Sequence, residues 1–319
     1  MLMLFDDPYV YQKLITVPPM GIIDTLLYEL SKKELNLDIL LQKMFTTKKA
    51  PNTSDLDIIV IGGCPRSGTT LARALIGMHP RIAAPQSECH FLASLKNPNY
   101  LKNIFDFSSK EIDNIKEEFD EETIRFIEYV LRLYMKKEGK QLVALKAPVY
   151  ITLSDELFNR FPNMRLIHCL RDGRDVACSL RTFPKKRIVN WKAVPVKTRN
   201  SFGWCVRAWV AHVNSGRKSM KSDKYMEVKY EDLVYAPIIT MKKIFDFLNL
   251  EMPDEDQLLS YYKFEKDEKH PQNIEIGRAI YEKSIARWKT DMSNGEKEKF
   301  KKMAGELLIT LGYEKDLNW

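Results

Sequence analysis

Asp57-Ile58-Ile59-Val60-Ile61-Gly62-Gly63-Cys64-Pro65-Arg66-Ser67-Gly68-Thr69-Thr70 is the stretch on which the fold turns. Four aliphatic residues in a row, with no polar alternation, predict a strand buried on both faces of a parallel sheet. A glycine-containing turn follows at once, and Leu71 to Met78 then reads as a helix. A strand, a glycine loop and a helix in this order leave the first helical N–H groups and the positive end of the helix dipole facing the loop, which is an anion site.

Further apolar runs occur at Leu142 to Leu145, at Arg165 to Leu170 and, more weakly, at Tyr225 to Val228, with helical patterns between them. That alternation predicts an α/β fold: a three-layer sandwich with a central parallel sheet and a ligand lying across the C-terminal ends of the strands. Ile124, Ile127, Val130, Leu131 and Tyr134 lie in helical register behind a capping box at Ser108 and Glu111. Phe300, Met303, Ala304, Leu307, Leu308 and Leu311 mark an amphipathic closing helix stopped by Gly312. Leu26, Leu27, Leu30, Leu35, Ile39, Leu40 and Leu41 have helical spacing and run into the polar stretch 46–53. We therefore expect a helical extension and linker over 1–52 and one main domain over 53–319.

The chain has 319 residues, 45% of them hydrophobic, and a formal net charge of +7. That excess points to anionic partners only where it is clustered. Five cysteines without a C-x-x-C pair indicate neither a zinc site nor a disulfide framework, so reduced thiols in a cytoplasmic setting are expected. Asp6 and Asp7 argue against a signal peptide, and no apolar run approaches the ~18 residues of a membrane span.

Gly63 and Gly68 have the spacing of a P-loop, but Thr69 stands where the Walker pattern places the lysine that reaches β- and γ-phosphates. The loop offers Arg66, Ser67, Thr69 and Thr70, a set suited to a compact anion without a third phosphate. After the strand ending at Leu170 comes Arg171-Asp172-Gly173-Arg174-Asp175-Val176-Ala177-Cys178-Ser179. With 175–182 helical, Arg171 and Ser179 reach one phosphate at a second strand-helix junction. Taken alone, the same charges read as a surface ion-pair cluster.

Together the two segments resemble the 5′-phosphosulfate loop and the 3′-phosphate motif of the sulfotransferase superfamily, including an arginine separated by seven residues from a serine. Val228 to Val234, Pro237 and Ile244 to Leu248 are similar to the segment that follows in the family, and Ser284 to Trp288 with Leu311-Gly312-Tyr313 to its C-terminal region. The resemblance implies a P-loop NTPase-like sulfotransferase fold and a donor, 3′-phosphoadenosine 5′-phosphosulfate (PAPS), with adenosine 3′,5′-bisphosphate (PAP) as product. It implies that Arg66, Ser67, Gly68, Thr69 and Thr70 hold the 5′-phosphosulfate, that Arg171 and Ser179 hold the 3′-phosphate, and that Tyr230 and Arg287 are nucleotide neighbours. Thr70-Leu71-Ala72-Arg73 and His79-Pro80 resemble the bacterial-type and tyrosylprotein branch. The cytosolic small-molecule branch ends its central strand motif in Lys-Thr-His, whereas this chain has Lys146-Ala147-Pro148 and so lacks that histidine.

Sulfuryl transfer needs a base for the acceptor hydroxyl and cations for the departing oxygen. By resemblance Glu88 is the base, with His90 competing, since residues two apart in an extended segment point the same way. Lys146 resembles the family lysine that faces the sulfuryl group, Arg66 can stabilise the departing bridge oxygen, and no Asp/His cluster suggests a metal. His79 reads as a helix C-terminal cap and His168 as a core histidine; Trp204, Trp209 and Trp288 read as core or wall aromatics, with stacking on adenine open. Between Arg181 and Lys224 twelve Lys or Arg residues face one acid, Asp223. This cluster fits donor steering, an acidic acceptor groove or a nucleic-acid patch. Pro184 and Pro195 mark about 182–200 as a loop able to act as a lid. The expected partners are the nucleotide donor and a hydroxyl acceptor (glycan, peptide tyrosine, lipid or small metabolite), with no nucleic acid and no membrane span. A P-loop-type kinase and a basic nucleic-acid binder are the alternative readings.

Overall fold

In the computed structural model, strand β1 (Ile58–Gly63) is buried along its whole length, as its uninterrupted apolar run requires. The structure describes residues 54–89, 92, 109–183, 185–189, 192–196, 200–263 and 284–319. The expected N-terminal extension, the box residue Ser108 and His90 lie outside them. Helix α1 (Thr69–Ile76) follows the glycine loop, and then come β2 (Ile82–Ala83), the long helix α2 (Ser109–Glu138) and β3 (Leu142–Lys146). A 3-10 segment and α3 (Ser154–Arg160) lead to β4 (Arg165–Leu170) and α4 (Gly173–Thr182). Beyond them lie β5 (Lys185–Val189), β6 (Lys192–Val196), α5 (Phe202–Arg217), β7 (Tyr225–Lys229), α6 (Tyr230–Tyr235), α7 (Pro237–Phe247), α8 (Glu255–Leu259), α9 (Trp288–Asp291) and α10 (Asn294–Thr310).

The main sheet is parallel throughout, in the order β2-β3-β1-β4-β7. Strand β1 lies between β3 and β4, so the order reverses on either side of it. A crevice opens at such a switch point beyond the C-terminal ends of the strands. Register places Ile61 opposite Lys146, and Gly63 opposite Cys169.

Alternation along β1 builds the layers. Ile59 and Ile61 pack with Leu71, Leu75, Ile244 and Phe245 of α1 and α7 on one face. Ile58 and Val60 pack with Ile127, Leu131, Tyr150 and Leu157 on the other. At about 1.5–3 kcal/mol for each fully buried aliphatic side chain, such two-sided burial favours this strand strongly over any exposed arrangement. A third cluster around Trp209 and Phe300 joins α4, α5 and α10.

The three-layer α/β reading therefore holds, and all four predicted strands form. The segment expected as a loop over 182–200 differs: β5 and β6 pair as an antiparallel hairpin, with Pro195 opposite Lys186. A two-stranded ribbon is all edge, so a proline that donates no hydrogen bond is tolerated within it. The closing helix is as expected, with Gly312 just past its end at φ 72. Ser293 and Glu296 form a capping box at its start that the sequence reading did not pick out. No described helix is long and apolar enough to cross a membrane.

Candidate active site

The loop after β1 is shaped by its backbone. Gly68 caps α1 at φ 85, and a Cβ there would lie 2.4 Å from the ring of Tyr230. A Cβ at Gly63 would lie 2.4 Å from the Cys169 carbonyl oxygen, so the loop and the end of β4 approach as closely as glycine permits. Arg66, not a glycine, takes φ 74, a conformation that costs a side-chain-bearing residue about 1–3 kcal/mol and persists only where its surroundings hold it. Thr69 and Thr70 open α1, presenting first-turn N–H groups that have no acceptor within the helix.

Side chains hold Arg66 in place and join the two predicted anion sites. Its Nε donates to Ser179 Oγ at 3.0 Å, its carbonyl accepts from Arg171 Nη1 at 2.9 Å, and its guanidinium lies 5.3 Å from the centre of the Phe183 ring. Thus Arg66 spans from the first loop to the helix carrying Ser179. The reading from resemblance had set Arg66 on the 5′ side alone.

The second site begins at the end of β4. Arg171 donates through Nη2 to the Ser284 carbonyl at 2.5 Å and stacks 4.5 Å over the ring of Tyr230. The Tyr230 hydroxyl pairs with Ser284 Oγ at 2.8 Å. Asp172 caps α4 by accepting from Arg174 N–H, and its own N–H donates to Glu231. Arg174, 2% exposed, pairs with Asp172 and Glu314, between the rings of Trp288 at 3.8 Å and Trp319 at 4.4 Å. Arg171, Asp172, Arg174 and Asp175 are all buried, which corrects the surface ion-pair reading. Burial pushes the carboxyls of Asp175 and Glu231 above their ordinary values.

At the end of β3, Lys146 is buried, and its Nζ donates to Glu88 Oε1 at 2.8 Å. Glu88 is 39% exposed, so the pair runs from the sheet edge to the surface. Sequence reasoning named both residues but not their contact.

Two buried donors in this region, Ser67 Oγ and Arg171 Nε, lack a protein partner. Burying a hydrogen-bond donor without an acceptor is costly, and both belong to the predicted anion loops, so an anionic group at each loop fits the residues present. Three nearby thiols are kept protonated by burial, which pushes Cys169 up to about 12, Cys178 up to about 11 and Cys64 well above its ordinary value. Among the described residues no group of three His, Cys, Asp or Glu side chains could hold a metal.

Residues 58–254 match the model of a family described as "Sulfotransferase family". The chain belongs to the sulfotransferase family. It is 26% identical over 224 residues to a protein-tyrosine sulfotransferase of Drosophila melanogaster, a match covering 66% of this chain and 41% of that one. With protein-tyrosine sulfotransferase A of Caenorhabditis elegans it shares 28% identity over 210 residues, covering 64% and 52%. The match to an uncharacterized protein of Aquifex aeolicus, at 25% identity, covers 72% of this chain and 30% of the other. The chain thus spans between 30 and 52% of the length of these relatives. The sulfotransferase domain of the Synechococcus PCC 7002 olefin synthase has the same fold, with a TM-score of 0.57 at 20% identity over 82% of this chain and 97% of that one.

In this family member Arg287 sits between Ala286 and Trp288, whose N–H groups both donate to Asp175 of α4. Arg287 pairs with Asp291 one turn along, at 2.6 Å, and is one-third exposed. Ser284 was missed as a site residue, although its hydroxyl and carbonyl meet Tyr230 and Arg171. Its only signal was a place in the Ser284-to-Trp288 segment similar to the family's C-terminal region. His168 is a core histidine as expected, bonded to the Tyr225 hydroxyl at 2.6 Å. His79 lies at the C-terminal end of α1, where its main-chain N–H donates to the carbonyl of Ile76, the last helical residue, and its Nδ1 accepts from Arg81 N–H in the turn beyond. Trp209 is a wall, donating to the Arg171 carbonyl at 3.2 Å and pressing on Gly173.

Proposed function

We propose that this chain transfers the sulfuryl group of PAPS to an acceptor hydroxyl by in-line displacement. The observation that carries the reading is the Lys146–Glu88 pair at the strand ends beside two anion loops joined through Arg66 and Ser179. Two anion-selective corners in contact suit a nucleotide phosphorylated at both its 5′ and 3′ positions. A triphosphate would want a lysine where Thr69 stands.

PAPS supplies a sulfuryl group on a phosphate leaving group. Ser67, Thr69, Thr70 and the first-turn amides of α1 bind the 5′ end, while Arg171 and Ser179 bind the 3′-phosphate. Glu88 takes the acceptor O–H proton as the acceptor oxygen bonds to sulfur. The sulfur–oxygen bond to the 5′-phosphate breaks, and its electron pair stays on the phosphate oxygen of PAP. Lys146 and Arg66 stabilise that developing charge.

For the acceptor we propose the phenol of a tyrosine-bearing peptide, supported by the names of the fly and nematode relatives. Five cysteines that form no disulfide support a reducing compartment such as the cytoplasm. The test is transfer of labelled sulfate from PAPS to tyrosine-bearing peptides. Replacing the general base by Glu88→Gln should lower kcat by about 10²- to 10⁴-fold, with the PAP Kd within about twofold. Full turnover in Glu88→Gln would remove Glu88 from the base role.

A further inference from the structure

We infer that Asp175 is a positioning residue for the donor site: it holds the turn at 284–288, and through that turn it sets the directions of both Arg171 and Tyr230. The inference rests on the donor reading above. Asp175 is the third residue of α4 and is fully buried. Its carboxylate is spent on backbone: Oδ2 accepts from Ala286 N–H at 2.8 Å, and Oδ1 from Trp288 N–H at 2.9 Å.

Ala286 has φ 58. A non-glycine residue there is strained and keeps its conformation only if the surroundings impose it. The two oxygens of Asp175 grip the turn on either side of its strained peptide, and hydrogen bonds to a buried charged group are among the stronger kind.

Two residues upstream, Ser284 makes both of its contacts to the donor site. Its carbonyl takes Arg171 Nη2 at 2.5 Å, and its hydroxyl pairs with the Tyr230 hydroxyl at 2.8 Å. Arg171 is then fixed on its remaining sides by the Arg66 carbonyl and the Tyr230 ring, which leaves Nε as the donor without a protein partner. Tyr230 in turn abuts Gly68 of the first loop. One carboxylate thereby orients the cation of the second loop and the aromatic wall of the first, without facing the nucleotide itself.

The test titrates the full chain calorimetrically with PAP and with 5′-AMP, well below its melting temperature, as wild type, Asp175→Asn and Asp175→Ala. The wild type should prefer PAP. Loss of hydrogen bonds to a charged group predicts an increase of about 10- to 100-fold in the PAP Kd for Asp175→Ala, with a smaller increase for Asp175→Asn, which retains one acceptor oxygen. The 5′-AMP Kd should rise by clearly less than the PAP Kd, because Tyr230 meets the first loop only at Gly68, and kcat at saturating PAPS should fall by less than PAP affinity, because the Lys146–Glu88 pair lies at the end of β3. If Asp175→Ala fails to fold, Ala286→Pro attacks the same latch from the other side, since proline has no N–H and cannot take positive φ.

Wild-type preference for PAP that survives every variant would overturn the positioning role and leave the donor reading standing. Equal loss of PAP and 5′-AMP affinity, or a fall in kcat alone, would also overturn it. A wild type indifferent between PAP and 5′-AMP would overturn the donor reading itself, and the inference with it.

Discussion

After β1 the chain turns through Gly63, Arg66 and Gly68 at φ values of 154, 74 and 85. After β4 it turns with Asp172 at φ −48 and makes its shape from side chains. The first loop is set by local backbone geometry and by glycines pressed against Cys169 and Tyr230. The second depends on partners far along the chain: Glu231, the turn at 284–288, Glu314 and Trp319. Two junctions that follow neighbouring strands and share the Arg66–Ser179 contact thus differ in what would disturb them. The first admits no side chain at its glycines and meets distant residues only where Arg66 and Gly68 touch them; the second accepts ordinary backbone and is built almost wholly on distant partners, some more than a hundred residues away.

The largest expected effect breaks the second loop alone. Arg174→Ala removes a buried cation between Asp172 and Glu314, and breaking a buried ion pair of this kind should cost about 3 kcal/mol in denaturant unfolding. PAP affinity should fall with it.

Acid separates the two strands next. No residue of β1 titrates, whereas β4 carries His168, whose pKa burial lowers to about 3 from its ordinary 6.5. Burial also lowers that of His212. A buried neutral histidine contributes stability that is present above the unfolded pKa, and this is lost as pH falls from about 6.5 towards 3, because the unfolded chain binds the proton first. His168 should contribute a slope approaching about 1.4 kcal/mol per pH unit in that window, and His168→Gln should flatten it in melts between pH 7 and 5.

The smallest effect sharpens the first loop. Ser67→Ala removes a hydroxyl that has no protein partner, so stability should change by less than about 0.5 kcal/mol while PAP binding weakens about fivefold.

The contrast also explains what could be read in advance. Ile58 to Ile61 and the glycine loop behind it were legible because a buried parallel strand is a continuous apolar run and a tight turn needs its glycines nearby in sequence. Arg171 and Ser179 were legible as a spacing, yet the charges between them read as surface when taken alone. Nothing near Asp175 announces that its oxygens will meet the amides of Ala286 and Trp288, 111 and 113 residues away. The pairing of Glu88 with Lys146, 58 residues on, and the contact of Arg66 with Ser179, 113 residues on, were hidden for the same reason. The β5–β6 hairpin was hidden by its own Pro195 and lysines, which mark loops more often than strands.

The most direct test of the account is calorimetric titration of the wild type and of Arg171→Ala with PAP and with ATP. Two cooperating anion loops predict that the wild type binds PAP more tightly than ATP, and that Arg171→Ala loses about a hundredfold in PAP affinity while binding ATP no worse than before. Tighter binding of ATP by the wild type, or PAP affinity unchanged in Arg171→Ala, would contradict it.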